Sequence, residues 1–384
     1  MASPAALFVC KHRMYPMENE KPKPKDWIMD IAAYVPGKAG GKDGKKLIKL
    51  SANENPLGCS PDAASAIQHA AGTVDRYPDG GSNVLREAIG TKYGLNPAQI
   101  ICGTGSDDVL QLVANAFTGP GDEIIYVRYG FAVYEIAARR YGGTPVVADD
   151  RDYGTDIEAI LAKVTDRTKL IYLANPNNPT GTLSGAGEIE QLHAALPGNV
   201  LLVLDGAYAE YLEANEDDRS MALAQTASNI LITRTFSKIY GLAAERIGWG
   251  YASPEIIDAM NRIRQPFNVT TAGQDAALAA LADTEFVTRS KDHNRQWRQW
   301  LTDEIEGLGN HGLRVIPSHT NFLLVLFEGQ VSAEQANMAL MEKGYVVRWL
   351  PGQGLVNGLR ITVGTEAETR GVASALREIV EATD

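Results

Sequence analysis

Between Ile124 and Ala252, apolar runs of strand length alternate with longer segments of helical character, and few folds accept that pattern. The runs fall at residues 123–127, 169–174, 200–204, 230–233 and 247–251. Each is almost continuously apolar, so each reads as a strand buried on both faces of a parallel or mixed sheet covered by helices. Ligands of such α/β sheets collect beyond the carboxyl ends of the strands. Asn178, Asp205 and Lys238 all lie just past such ends, which predicts that three separate elements converge on one crevice. Beyond about Pro266 the pattern changes to a long helical region, 271–307. Short strands at 321–327, 346–349 and 359–363 and a last helix from Glu366 follow, predicting a smaller α+β domain. The expected division is an N-terminal extension or arm over 1–29, a large domain over 61–269, and a small domain built from 30–60 and 270–384. The arm through Ile28 and Tyr34 has too few apolar residues to fold alone, so it should dock on the small domain or on a partner subunit.

A chain of 384 residues with 45% hydrophobic and 22% charged residues has an ordinary globular balance, with material for about two or three cores. No apolar run approaches the roughly 18 residues that span a bilayer. The net charge of -11 argues against a nucleic-acid partner, which needs clustered cations. The Lys21-Pro22-Lys23-Pro24-Lys25 segment is short and reads as a solvated linker. Cys10, Cys59 and Cys102 show no paired spacing and the six histidines no metal-ligand pattern, so no metal is expected and a reduced cytoplasmic setting fits. Residues 1–10 are mildly apolar without a basic region before them, a poor secretory signal.

The chemistry-bearing residues form an ordered set: Asn178, Asp205, Tyr208, Ser237, Lys238 and Arg246. A lysine amine can condense with an aldehyde, a carboxylate at a strand end can pair with a pyridinium nitrogen, and Ser237 with Arg246 can hold a phosphate. Taken singly each is weak, since a serine–lysine pair is most often solvated surface and an aspartate at a strand end is most often a turn residue. Buried at the end of its run, Asp205 needs a partner, because an unpaired charge there is costly. Gly103-Thr104-Gly105-Ser106 precedes a helical pattern, with Ser106 expected as its cap and the first-turn amides facing an anion; a plain capped helix is the other reading. The segment lacks the third glycine of a dinucleotide fingerprint and the Gly-Lys-Ser/Thr of a nucleotide-hydrolysing loop.

Read together with Ser51-Ala52-Asn53-Glu54-Asn55-Pro56, Arg76-Tyr77-Pro78-Asp79, Asn175-Pro176-Asn177-Asn178-Pro179-Thr180-Gly181, Arg234-Thr235-Phe236-Ser237-Lys238, Arg264-Gln265-Pro266-Phe267-Asn268 and Leu359-Arg360-Ile361-Thr362-Val363-Gly364, this set resembles the fold-type I pyridoxal phosphate-dependent aminotransferases. Within them it is similar to the histidinol-phosphate aminotransferase family, from about Asp30 to the C-terminus. A start at Met14 or Met17 would be more typical of that family. The resemblance implies an α/β fold with a mixed, mostly parallel sheet sandwiched by helices. It implies pyridoxal 5'-phosphate held by Lys238, with Gly105, Ser106, Asp107, Ser237 and Arg246 around the phosphate. Asp205 would face the ring nitrogen, Tyr208 and Asn178 the ring's phenolic oxygen, and Phe131 the ring face; for Phe131 an ordinary core aromatic is the other reading. Tyr77 would reach the phosphate of a neighbouring subunit in a homodimer. Asn55, Asn178, Arg348, Arg360 and, from the partner's arm, Tyr34 are assigned to the substrate. Two departures from the family pattern are Gly206, where glutamate is common, and Glu245, where an apolar residue is common.

The function expected from this reading is transamination of L-histidinol phosphate with 2-oxoglutarate in histidine biosynthesis, with Lys238, Asp205 and Tyr208 as catalytic residues. Two guanidinium forks, Arg348 and Arg360, suit a phosphate dianion better than one carboxylate. The nearest rival is an aromatic amino acid aminotransferase. A lyase or decarboxylase of the same fold comes next, and a sensor domain of a transcription regulator is disfavoured by the absence of a basic DNA-binding region.

Overall fold

In the computed structural model, residues 21–31, 47–217 and 219–382 are described. A seven-stranded sheet runs in the spatial order Ile100–Gly103, Gly248–Ala252, Ile230–Thr235, Leu201–Asp205, Thr168–Ala174, Glu123–Val127, Thr144–Ala148. Only Gly248–Ala252 is antiparallel to its neighbours. The continuous apolar runs have the expected cause. Ile171, Leu173, Leu202, Leu204, Ile230 and Ile232 enter one core, shared with helices Asn83–Tyr93, Ala186–Ala195 and Thr271–Ala282. Leu170, Tyr172, Leu201, Val203 and Leu231 enter another, beneath helices Ser106–Phe117, Val133–Arg140 and Pro254–Ile263. Alternation along each strand thus fills both faces.

A second, antiparallel sheet orders Leu313–Ile316, Phe322–Phe327, Leu355–Thr362 and Arg348–Leu350. Its core holds Leu323, Val325, Leu359 and Ile361 with Leu301, Leu340 and Leu376 from the helices that cover it. Leu50 also belongs to this core, because Ile48–Lys49 pairs in parallel with Tyr345–Val346.

Several expectations are corrected. The helical region at 271–307 is two helices, Thr271–Ala282 and Thr284–Glu306, because the Asp283 side chain accepts from the Phe286 amide and starts a new helix. The strand at 346–349 is split: Tyr345–Val346 pairs with Ile48–Lys49 and Arg348–Leu350 with Leu355–Thr362. The described start of the arm meets the large domain: Trp27, in the short 3-10 helix Asp26–Ile28, lies against Gly142 beside helix Val133–Arg140. Among the described residues no helix is long and apolar enough to cross a membrane, and no group of three or more His, Cys, Asp or Glu gathers as a metal site.

Candidate active site

A cavity of about 320 Å³ opens between the carboxyl edge of the large sheet and the small sheet. Its position follows from strand register. Asp205 pairs with Ala174 on one side and Thr233 on the other, so the segments leading to Asn178 and Lys238 leave the sheet on either side of it. Ser106, Asp107, Phe131, Asn178, Asp205, Tyr208, Ser237, Lys238, Arg246, Arg348 and Arg360 all line the cavity.

Asp205 forms the floor and is 4% exposed. Burial pushes its carboxyl above the ordinary carboxylate range, against which two hydrogen bonds pull it down. Tyr134 donates to Oδ2 at 2.8 Å and Thr233 to Oδ1 at 2.8 Å. The Tyr134 ring is fully buried and stacks on Tyr172 at 4.7 Å, so its hydroxyl is held in place. Sequence reasoning missed this role. The one trace in the sequence is that Tyr134 stands three residues after Phe131. A carboxylate so placed is completed by a cation in the crevice.

Beside it lies a cup for an anion. The cap of helix Ser106–Phe117 is Gly105 rather than Ser106, because the chain enters the helix at φ 87°, a left-handed conformation that suits glycine. A Cβ on Gly105 would stand 2.6 Å from Arg246 Nη2, so the missing side chain also makes room for the guanidinium. Arg246, itself at φ 52°, donates to Ser237 Oγ at 3.3 Å and lies 3.8 Å from Asp107. Glu245 forms no ion pair with Arg246 among the described contacts. The helix's first-turn amides, which lack intrahelical acceptors, and the Arg246 cation together favour a phosphate.

On the opposite wall, Arg348 and Arg360 stand directly across from one another in the antiparallel ladder. Arg360 Nη1 donates to Asn178 Oδ1 at 2.6 Å, turning the amide nitrogen of Asn178 away from it. The segment before Glu54 crosses this wall as a strap. Ser51 carbonyl accepts from Arg360 Nη2 at 2.7 Å, Ala52 carbonyl from Lys238 Nζ at 3.2 Å, and Tyr208 hydroxyl accepts from Asn53 Nδ2 at 2.8 Å. None of these three roles was expected.

Asn55 is not among the residues that line the cavity; its amide donates to Ile239 carbonyl at 2.8 Å and Ser290 Oγ at 3.0 Å. Tyr77 is also away from the cavity, 83% exposed, and its ring stacks on Phe267 at 4.6 Å. Tyr34 lies outside the described residues.

Comparison with known proteins places this geometry in a family. The family model described as "Aminotransferase class I and II" matches residues 45–376. Histidinol-phosphate aminotransferase of Sphingopyxis alaskensis is 64% identical over 357 residues, covering 92% of this chain and 96% of that protein. The Zymomonas mobilis histidinol-phosphate aminotransferase is 56% identical, covering 93% and 97%. The crystal structure of histidinol-phosphate aminotransferase from Sinorhizobium meliloti in complex with pyridoxal-5'-phosphate superposes with a TM-score of 0.86 at 30% identity, covering 95% of this chain and 99% of that one. The residues here fit that cofactor: an amine at Lys238, a buried carboxylate awaiting a cation, and an anion cup at a helix start. The fold is thus that of the fold-type I aminotransferases, the cofactor is pyridoxal phosphate, and the chain belongs to the class I and II aminotransferases and, within them, to the histidinol-phosphate aminotransferase family.

Proposed function

We propose that this chain transfers the amino group of L-histidinol phosphate to 2-oxoglutarate, giving imidazole acetol phosphate and glutamate in histidine biosynthesis. The observation that carries the substrate class is the pair Arg348 and Arg360, opposed in register and both lining the crevice. A phosphate dianion matches two guanidinium forks better than a single carboxylate does.

Bound pyridoxal phosphate supplies an electron-poor ring that absorbs the charge left when a substrate carbon loses its proton. Around it, Ser237, Arg246 and the main chain at Gly105, Ser106 and Asp107 would hold the phosphate, and Asp205 would pair with the ring nitrogen. Phe131 would cover a ring face, and Tyr208 and Asn178 would donate hydrogen bonds to the phenolic oxygen. Lys238 would hold the cofactor through its amine, and that Nζ, freed when the substrate amine takes its place, would serve as general base and acid toward the substrate Cα proton.

The site is completed in a homodimer, where Tyr77 serves the neighbouring subunit's phosphate. The exposed Tyr77 and Phe267 pair supports this, since exposed stacked aromatics mark interaction surfaces. Measuring kcat/KM for L-histidinol phosphate, phenylalanine and tyrosine with 2-oxoglutarate as acceptor tests the reading. Histidinol phosphate is expected to lead by at least about tenfold, the worth of one charge-assisted hydrogen bond. A lead for phenylalanine or tyrosine would make the chain an aromatic amino acid aminotransferase instead.

A further inference from the structure

The hydrogen bonds around Asn53 form a directed chain. Its main-chain N–H donates to Thr362 Oγ1 at 3.0 Å. Thr362 in turn donates its own proton to Asn53 Oδ1 at 3.1 Å. With Oδ1 turned to Thr362, the amide NH2 faces Tyr208 at 2.8 Å. An amide NH2 has no lone pair to offer, so the Tyr208 oxygen accepts and its own proton must point elsewhere.

Each partner in this chain is held rigidly. Asn53 is 1% exposed, sits at φ 57° in the left-handed region, and its carbonyl accepts from Asn321 Nδ2 at 3.0 Å. Non-glycine residues in that conformation carry strain and concentrate at functional sites, with asparagine the side chain best able to adopt it. Tyr208 is 2% exposed and its ring meets Phe322 edge-on at 5.3 Å. A phenolic proton prefers the ring plane and has two positions in it. The Asn53 amide occupies one, and the other is left for the crevice that Tyr208 lines.

We propose that Asn53 and Thr362 are positioning residues that fix the Tyr208 hydroxyl as a donor into the crevice, toward the phenolic oxygen of pyridoxal phosphate. This rests on the role given to Tyr208 above and adds what orients it. Neither residue touches the reacting atoms. Their effect is to keep the Tyr208 proton from being spent on the protein.

The test reads the pH midpoint of the visible absorbance change of the bound cofactor in the holoenzyme, with no turnover involved. A donor to an oxygen stabilises its anionic form, so removing the donor raises the midpoint. Tyr208→Phe sets the scale, with an expected rise of about one pH unit for the loss of one hydrogen bond to a charged oxygen. Asn53→Gly removes the amide while tolerating the left-handed backbone, and Thr362→Val frees the amide to flip without changing side-chain volume much. Both are expected to raise the midpoint in the same direction by a smaller amount, and neither should raise it further when combined with Tyr208→Phe. The charged groups around the site, Lys49, Lys238, Asp205, Asp107, Arg246, Arg348 and Arg360, are unchanged in every variant, so their influence cancels in the comparison. A midpoint unmoved in both Asn53→Gly and Thr362→Val while Tyr208→Phe moves it would overturn the positioning role alone. So would shifts that add in full to that of Tyr208→Phe. An unmoved midpoint in Tyr208→Phe would remove both the positioning role and the reading of Tyr208 on which it rests.

Discussion

Removing the Asp205 carboxylate takes away the charge that a protonated ring nitrogen would face. Two unit charges about 4 Å apart at an effective dielectric of about 20 interact by about 4 kcal/mol, roughly a thousandfold if expressed fully in the transition state. Asp205→Ala is therefore expected to lower kcat by about three orders of magnitude while its circular dichroism stays native. Activity within a few-fold of wild type would remove Asp205 from the chemistry. The two arginines separate by substrate. Arg348→Ala should cost histidinol phosphate about 2 to 3 kcal/mol in kcat/KM and phenylalanine less, because Arg360 alone can hold a carboxylate. Arg360→Ala should damage both, since that guanidinium also holds Asn178 and the Ser51 carbonyl. Equal losses for both substrates in Arg348→Ala would leave it a structural residue. Asp205 and Arg360 were legible because each is a charge set among apolar neighbours. Asn53 and Tyr134 were not. An asparagine beside a second asparagine two residues on gives no sign of which faces the crevice, and a tyrosine on a buried helix face reads as core.

The strands were legible as elements because burial on both faces leaves an uninterrupted apolar run, and their carboxyl ends mark the crevice. Breaks within elements were not, since Asp283 stops one helix and starts the next through a single side-chain hydrogen bond. The two departures from the family pattern resolve at this level. Glu245 ends a 3-10 turn and does not oppose Arg246. Gly206, at the end of Leu201–Asp205, leaves space that Arg234 fills: a Cβ there would stand 1.4 Å from Arg234 Nη1. The guanidinium is buried, donates to Ser220 Oγ at 3.2 Å and lies 3.8 Å from Glu210. Gly206→Ala must push it out of that position, and overpacking of this kind costs about 1 to 3 kcal/mol. A fall in Tm of about 1 to 4 °C is expected for a chain of this size, and an unchanged Tm would show that Arg234 has room to move.

At the scale of the whole molecule, the crevice exists because two sheets and one strap meet. The Ser51 carbonyl and the Arg360 guanidinium that donates to it are 309 positions apart in sequence, a separation at which local patterns carry no information. For that reason the converging strand ends could be read from the sequence and the strap across them could not. The proposed dimer adds a second subunit to each site and can be checked by mixing. A Tyr77→Ala chain and a Lys238→Ala chain, each impaired alone, should form hybrid dimers in which one site draws both intact residues from different subunits. Refolding the two together should restore about a quarter of wild-type activity per site, and no recovery would mean that Tyr77 does not cross between subunits. Whether all these elements converge on one reactive amine is read most directly by borohydride reduction of the holoenzyme followed by peptide mass mapping. The pyridoxyl group is expected on Lys238 alone, and a label on any other lysine would contradict it.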